Sequence, residues 1–527
     1  MSLSDTVSRA AGSVVWHRLR LPDARHAFFG ITIILTAAIT ITFALSIQNW
    51  TPLAFVALPL AALSGAWISG GAATALVGLA QPRALPLSPP TGWAPDGQTA
   101  ILITLCKEDS APVARYLSDL HAGLARAGLS DKTSIFVLSD TPTGDAAHSE
   151  GAALATLSSD GLIHYRRRIE NTGRKPGNIA DWLRQHGGGF DYMLVLDADS
   201  RMAASRIRRM IRQIENHPRT GLLQAGMALV PGSSRFGRHQ RVAVRLMSHN
   251  FGRGMAAWAG PSSNYWGHNA ILRIAAFREA ADLPVLPGRA PFGGPVLSHD
   301  FIEAAWIRRA GWAVELDPDM AGSAEDGPQT LDEFHKRDRR WCQGNMQHLG
   351  MLATPGLHAM SRLHLASGAL SYLAAPIWLI LVTLIASGAV PVAGALPFAL
   401  VAGVLLTPKL CALAGWMRAA TTFRRRLVIW RAWLSELLLS TFVAPIMMIR
   451  QTASVAAVLM QRDCGWKSGK PARWRMPRGL PEFAAGAAIL ALAMQTETGA
   501  SLWLAPLILP LLAAPLFVRM LDRAPAA

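Results

Sequence analysis

Two hydropathic regimes alternate along the 527 residues. Phe28 to Ile47 and Leu53 to Leu79 are uncharged, apolar runs, each long enough to cross a hydrocarbon layer of about 30 Å as a helix. Gln48-Asn49-Trp50-Thr51-Pro52 between them reads as a tight turn with an interfacial tryptophan, so the pair predicts a membrane hairpin. Gly65, Gly70 and Gly71 are the positions predicted to let its helices approach closely. From Thr99 to about Gly350 short apolar runs alternate with amphipathic ones. Ala100–Leu105, Ser134–Leu138 and Met193–Leu196 read as strands and Pro112–Ala127 as a helix. Such alternation predicts a doubly wound, mostly parallel α/β sheet. Beyond His364 long apolar runs resume at Gly368–Ser387, Leu396–Thr407, Phe483–Met494 and Leu502–Val518. Leu434–Met460 differs, because Glu436 and Arg450 interrupt it and Pro445 bends it. A helix at the interface or lining a cavity tolerates that; a lipid-exposed span does not. The pattern divides the chain into a lead (1–27), a hairpin (28–80), a Pro-rich linker (81–98), an α/β domain (99–350) and a C-terminal helical region (351–527).

Composition sharpens this picture. Apolar residues make up 51% and charged ones 16%, a balance that points to a membrane protein. A net charge of +17 suits nucleic acid, anionic lipid or a phosphorylated substrate. Its clustering beside apolar runs, at Arg424-Arg425-Arg426 and at Arg519 and Arg523, favours membrane lipid over nucleic acid and places those loops and both termini in the cytoplasm. Cys106, Cys342, Cys411 and Cys464 show neither pairing nor metal-type spacing, which fits reduced thiols. The sequence shows no internal repeat and no cleavable signal.

Candidate chemistry gathers at the ends of the predicted strands, where open α/β sheets bind their ligands. Met193–Leu196 runs into Asp197-Ala198-Asp199, and paired carboxylates at a strand end suit Mg²⁺ or Mn²⁺ together with substrate phosphates. The same motif also reads as a solvated turn. Two other strands end near Glu108-Asp109 and at Asp140; these acids can accept hydrogen bonds from a nucleoside or simply cap the next helix. Asn171-Thr172-Gly173-Arg174-Lys175-Pro176-Gly177-Asn178 combines glycines with a point charge for a diphosphate. Leu297-Ser298-His299-Asp300 ends another apolar stretch in an acid that opens a helix. Lys336 to Asn345 joins arginines to Trp341: an aromatic ring can stack under a sugar and guanidinium groups can pair with phosphate, while a juxtamembrane basic helix reading anionic lipid is the alternative.

Lys175, Asp140, Asp197-Ala198-Asp199, Asp300 and Arg337-x-x-Arg340-Trp341, set between membrane segments, resemble the processive family 2 glycosyltransferases. Tyr165-Arg166-Arg167-Arg168, Gly173-Arg174-Lys175-x-Gly177-Asn178-Ile179, Tyr265-Trp266-Gly267-His268-Asn269-Ala270, Leu297-Ser298-His299-Asp300-Phe301 and Arg337-Asp338-Arg339-Arg340-Trp341-Cys342 look like the glucans biosynthesis glucosyltransferase H family. The likeness covers roughly residues 28 to 460. It implies a cytoplasmic GT-A-type domain inserted between helices of the bacterial inner membrane. It also implies inverting transfer from UDP-glucose to a growing β-1,2-glucan destined for the periplasm. The implied roles are Asp300 as base, Arg340 and Trp341 at the acceptor, and Asp199 with Asp197 on the metal. Glu108, Asp140, Lys175, Asn178, His268, Asn269 and Arg337 would line the substrate site. The family also implies periplasmic glucan-modifying proteins and acyl carrier protein as partners. Three departures stand out. Arg337 occupies a position that is Gln in the cellulose-synthase type, Cys106-Lys107-Glu108 replaces a Tyr-Asn-Glu-like run, and the lead is short. A synthase of another polysaccharide, such as cellulose, and a non-catalytic membrane scaffold or sensor are the competing readings. Gln461–Arg478, with Trp466 and Lys467, is the expected counterpart of a gating loop.

Overall fold

The computed structural model describes residues 21–82, 92–280, 282–463, 478–496 and 500–524. The proposed gating loop lies almost wholly outside these residues, as do most of the lead and of the Pro-rich linker.

A seven-stranded sheet forms from β1 (Thr99–Leu105), β2 (Thr133–Ser139), β3 (His164–Arg167), β4 (Tyr192–Asp197), β5 (Thr220–Ala225), β6 (Ala270–Arg273) and β7 (Ala313–Asp317), in the order β7-β5-β6-β4-β1-β2-β3. Neighbours run parallel except β6, which is antiparallel to both β4 and β5. The alternation of side chains sorts the buried residues into two cores. Ala100, Leu102, Met193 and Val195 face one side, and Ile101, Ile103, Leu194 and Leu196 the other, as a two-residue period requires. Burial on both faces explains why these strands read as unbroken apolar runs. The register pairs Thr104 with Asp197, so the ends of the two central strands open side by side.

The helices are α1 (Leu21–Ser46), α2 (Pro52–Ala80), α3 (Ser110–Arg126), α4 (Asp145–Ser159), α5 (Arg174–Gln185), α6 (Ala204–Asn216), α7 (Arg235–Ala259), α8 (Ile274–Ala280), α9 (His299–Arg309) and α10 (Leu331–Gln347). The C-terminal region adds α11 (Ala359–Ala386), α12 (Leu396–Ala419), α13 (Phe423–Leu459), α14 (Leu480–Met494), α15 (Ala500–Leu512) and α16 (Ala514–Leu521). By length and composition α1, α2, α11, α12 and α13 could each cross a membrane, as could α15 and α16 together, bent by 57°; α14 is shorter.

Contacts at the helix ends separate two faces. Away from the α/β domain, Ile47 bridges Val392 and Trp503 stacks on Phe398 at 5.6 Å between ring centroids. On the domain side, Arg25 donates to the carbonyls of Trp258 and Ala259, and Arg478 pairs with Asp332 at 2.9 Å. Helix α13 makes polar contacts with this domain side and packs Ile449 against α11, α14 and α15. Trp433 Nε1, three turns into the helix, donates to Lys409 O in the middle of α12. Near its end Arg450 donates to Leu331 O, and Asp463 just beyond accepts from Gln343 at 2.8 Å. The two charges that interrupt the helix are both paired, Glu436 with Lys409 and Arg450 with Glu482, each at 2.7 Å. By length and composition the described helices allow two crossings before the domain and three after it, or four if the bent pair α15 and α16 is one span.

The close approach predicted for Gly70 and Gly71 does not occur: a Cβ at either would meet nothing within 4 Å. The tight crossing lies further along α2, against α7. There a Cβ on Gly78 would fall 1.9 Å from Asn250 O, and one on Gly254 1.9 Å from Thr74 O. These two glycines fasten the α/β domain to the hairpin.

Candidate active site

At the end of β4 the chain turns sharply, Asp197 N donating to Ser200 Oγ at 3.1 Å. Asp197 Oδ1 accepts from Thr104 Oγ1 at 3.1 Å and from Lys175 Nζ. Lys175 stands in the first turn of α5, which opens on two left-handed residues, Gly173 at its N-cap and Arg174 at its first position. Its ammonium also donates to Gly267 O at 2.7 Å. Gly267 in turn faces the acid that opens α9: a Cβ there would come within 3.5 Å of Asp300 Oδ2. Tyr265-Trp266-Gly267-His268-Asn269-Ala270 is thus the hub of the site, held by Tyr265 Oη donating to Gly267 O and Trp266 N donating to Gln224 Oε1.

From the hub a second chain of contacts runs to α10. His268 Nε2 lies 3.4 Å from Glu325 Oε2, which also accepts from Arg337 Nη2 at 3.3 Å. The Arg337 guanidinium sits 4.5 Å over the Trp341 ring, whose side chain is 40% exposed and open to stacking. Arg340 lies beside them on the same helix, partly buried. The helix is seated on the Asp300 loop at Gly344, where a Cβ would fall 2.2 Å from Ser298 Oγ and 2.9 Å from Ser298 N. Leu297 N donates to Gln347 Oε1 at 3.0 Å nearby.

Not every predicted residue joins this network. Asp109 caps α3 by accepting from Ala111 N, whereas Glu108 is exposed and accepts from Cys106 N. Asp140 is buried, and both its oxygens are engaged: Arg168 grips them in bidentate fashion at 2.8 and 2.9 Å, and Asn178 adds a third bond at 2.9 Å. Asn178 and Asn269 are buried as well. Asn269 spends its amide on Ser323 Oγ, so these two residues brace the walls of the site instead of presenting a surface. Ser298, not Asp300, stands at the N-cap position of α9, which removes the capping explanation for Asp300.

The sequence reading missed Glu325. A lone acid in Ala324-Glu325-Asp326 carries no pattern, and only pairing of its strand with Arg201–Met202 and Ala228–Leu229 brings it under His268. It missed Gly344 for the same reason, since close approach between distant segments leaves no local mark.

The electrostatics divide the two acids of Asp197-Ala198-Asp199. Burial alone would raise the Asp197 carboxyl, but Lys175 and His268 hold it well below the usual range. Asp199 is pushed up to about 6, first by burial and then by the neighbouring Asp197 charge. It makes no hydrogen bond or ion pair among the described residues. Burial opposes charge on His268, yet Asp197 and Glu325 outweigh it and raise its pKa. Burial likewise raises Asp300, against the opposing pull of His299.

A divalent cation fits this donor set. Among the described residues no three His, Cys, Asp or Glu side chains gather as ligands, so the protein offers a partial site only: Asp199, and the Asp197 oxygen that Lys175 leaves free. Hard cations that keep waters and take substrate phosphate oxygens match such a site. Burial and the Asp197 charge raise the Asp199 pKa despite the pull of His268 and Arg337, and a bound cation would offset both.

Residues 101–280 match the model of glycosyl transferase family 2, and residues 192–408 that of glycosyl transferase family group 2. A Xylella fastidiosa protein named glucans biosynthesis glucosyltransferase H is 37% identical over 555 residues, covering 93% of this chain and 86% of that protein. The chain belongs to this glucosyltransferase H family. A member from Xanthomonas euvesicatoria is 38% identical, covering 78% of the chain and 69% of its own length. Against the Vibrio cholerae members, also 38% identical, the chain spans 62% of their length. The family models and the mixed α/β sheet agree on the GT-A class expected from the sequence. Among solved structures, the mannosyltransferase PcManGT from Pyrobaculum calidifontis, in complex with GDP-Man and Mn²⁺, aligns with a TM-score of 0.47. Its identity is 14%, covering 78% of this chain and 99% of that one.

Proposed function

We propose that the protein is an inner-membrane processive glucosyltransferase that transfers glucose with inversion from UDP-glucose onto a growing β-1,2-glucan and exports it as periplasmic glucan backbone. One observation carries this reading. The hub Gly267-His268 links Lys175 and Asp197 to Asp300 on one side and to Glu325, Arg337 and Trp341 on the other. Donor and acceptor groups therefore share one cleft on the domain side of the membrane helices.

In this reading Glu108 and Asp140 serve the nucleoside, Asp140 through the Arg168 and Asn171 side chains it draws together. Lys175 turns its ammonium to the diphosphate. Asp199, supported by Asp197, holds Mg²⁺ or Mn²⁺, which when bound neutralises charge developing on the departing UDP. Trp341 stacks against the terminal sugar of the acceptor, and Arg340 and Arg337 steady it. Asp300 takes the proton from the acceptor hydroxyl as that oxygen attacks the anomeric carbon. Its raised pKa suits a base, because a stronger base removes a proton more readily provided it stays ionised at working pH. Holding donor and acceptor in line supplies much of the acceleration, since oriented groups reach effective molarities of about 10⁵ M or more. The crossing helices give the polymer its way out, with the α/β domain in the cytoplasm.

Purified protein in lipid nanodiscs, given a panel of labelled UDP-sugars, tests the proposal. Polymer from UDP-glucose alone, with 1,2-linkages on methylation analysis, is expected. A polymer of another linkage or sugar, or no turnover of any UDP-sugar, would overturn it.

A further inference from the structure

Arg478 before α14, Arg519 in the last turn of α16 and Arg523 just after it line a cavity of about 390 Å³ together with Asp522. The three cations are unequally engaged. Arg478 pairs with Asp332 at 2.9 Å and lies 3.7 Å from Asp522. The Arg519 and Arg523 side chains make no hydrogen bond or ion pair among the described residues. Asp522 does not balance them, for its other oxygen accepts from Leu331 N at 3.1 Å. The cavity therefore presents two uncommitted guanidinium groups, which suit a phosphate because their planar forks donate pairwise to its oxygens.

Its position narrows the ligand. The cavity sits where α14 begins and α16 ends on the domain side, beside exposed Leu480, Phe483 and Leu516. Arginines above an exposed apolar ridge match a phospholipid, with its phosphate among the cations and its chains along the helices. We propose that this cavity binds the phosphate headgroup of an anionic phospholipid from the leaflet on the domain side. Through Asp522 and Arg478 the bound headgroup then steadies Leu331 and Asp332, the start of α10. The site is separate from the cleft, so its test does not depend on the sugar chemistry.

The experiment uses the full chain in phosphatidylcholine nanodiscs with increasing phosphatidylglycerol. Native mass spectrometry counts bound phosphatidylglycerol for wild type, for Arg519→Gln/Arg523→Gln and for a control, Arg424→Gln/Arg425→Gln, which removes equal charge elsewhere on the domain side. Wild type and control should retain phosphatidylglycerol over phosphatidylcholine, and the cavity variant should lose about tenfold in affinity, on the scale expected for two basic contacts. Equal loss in the control would mean diffuse attraction and overturn the site, as would no loss in the cavity variant. A parallel arm adds inorganic phosphate to protein in neutral detergent. Stabilisation by phosphate matching that by the lipid would assign the cavity to a soluble anion and refute the lipid. If the Gln pair does not fold, Arg519→Lys/Arg523→Lys keeps the charge but not the forks; it should bind several-fold more weakly, and unchanged binding counts against the proposal.

Discussion

Asp300→Asn separates chemistry from architecture with unusual clarity, because the structure predicts opposite effects on the two. The carboxylate forms no ion pair among the described residues, and Asn occupies nearly the same space opposite Gly267. Burial raises the Asp300 pKa, so folding disfavours its charged form. A carboxyl raised in the folded state stabilises the fold below its unfolded pKa and loses that contribution as pH rises through the native value. Asn carries no such penalty at neutral pH, so thermal unfolding of the variant should occur at the same or a higher temperature. The reaction should suffer heavily. Removing a general base costs about 10²–10⁴-fold, equivalent to about 3–5 kcal/mol of barrier at roughly 1.4 kcal/mol per decade. Because the base acts only in the transition state, kcat and kcat/KM should fall together while UDP affinity holds. Steady-state turnover with labelled UDP-glucose, calorimetric UDP binding and differential scanning fluorimetry measure all three. Turnover within a few-fold of wild type would remove Asp300 from the mechanism; a matching loss of UDP affinity would make it a donor ligand instead.

Three further expectations follow from the geometry. Activity should vanish in metal-stripped protein and return with Mg²⁺ or Mn²⁺, and Asp199→Asn should abolish most of it; full turnover in chelator refutes the metal assignment. Gly344→Ala forces a Cβ against Ser298, and overpacking of this kind costs about 1–3 kcal/mol. Trp341 should shift relative to Asp300, lowering kcat more than UDP affinity, and wild-type kinetics would show that this seat is loose. Single cysteines at Trp50 and Arg424 should differ in intact cells, a membrane-impermeant reagent reaching the first and not the second; the reverse pattern would invert the topology.

Much of the cleft was legible because strand ends write themselves locally. An apolar run stopping at Asp197-Ala198-Asp199, or at Asp300 before a helix, is a pattern over a few residues. The residues that join those stations were not legible. Glu325 reaches His268 and Arg337 only through strand pairing, and Asp140 looks like a free strand-end acid until Arg168, 28 residues on, folds over it. Helix α13 stayed ambiguous in the sequence: 37 residues of mostly apolar character suit a span, Glu436 and Arg450 argue against a lipid-exposed one, and their partners Lys409 and Glu482 come from distant segments. Strand β6, four residues long, left too short a run to reveal itself or its reversed direction.

The start of α10 is gripped by the membrane-facing helices at several points. Asp522 accepts from Leu331 N, Arg450 donates to Leu331 O and Asp332, and Gln451 donates to Asp338 at 3.2 Å. Its far end rests on Ser298, beside the acid of α9. The helix that carries Trp341 is thus a strut between the apolar helices and the α/β domain, and the boundary the sequence suggests near residue 350 is no mechanical seam. Cut there, residues 99–350 would expose Leu331, Cys342 and Met346, all now buried, and release the one wall of the cleft that the membrane holds in place. A bilayer thickness or detergent that shifted α13 against α14 would pull on the Arg450 contacts to Leu331 and Asp332 and so on the helix that carries Trp341.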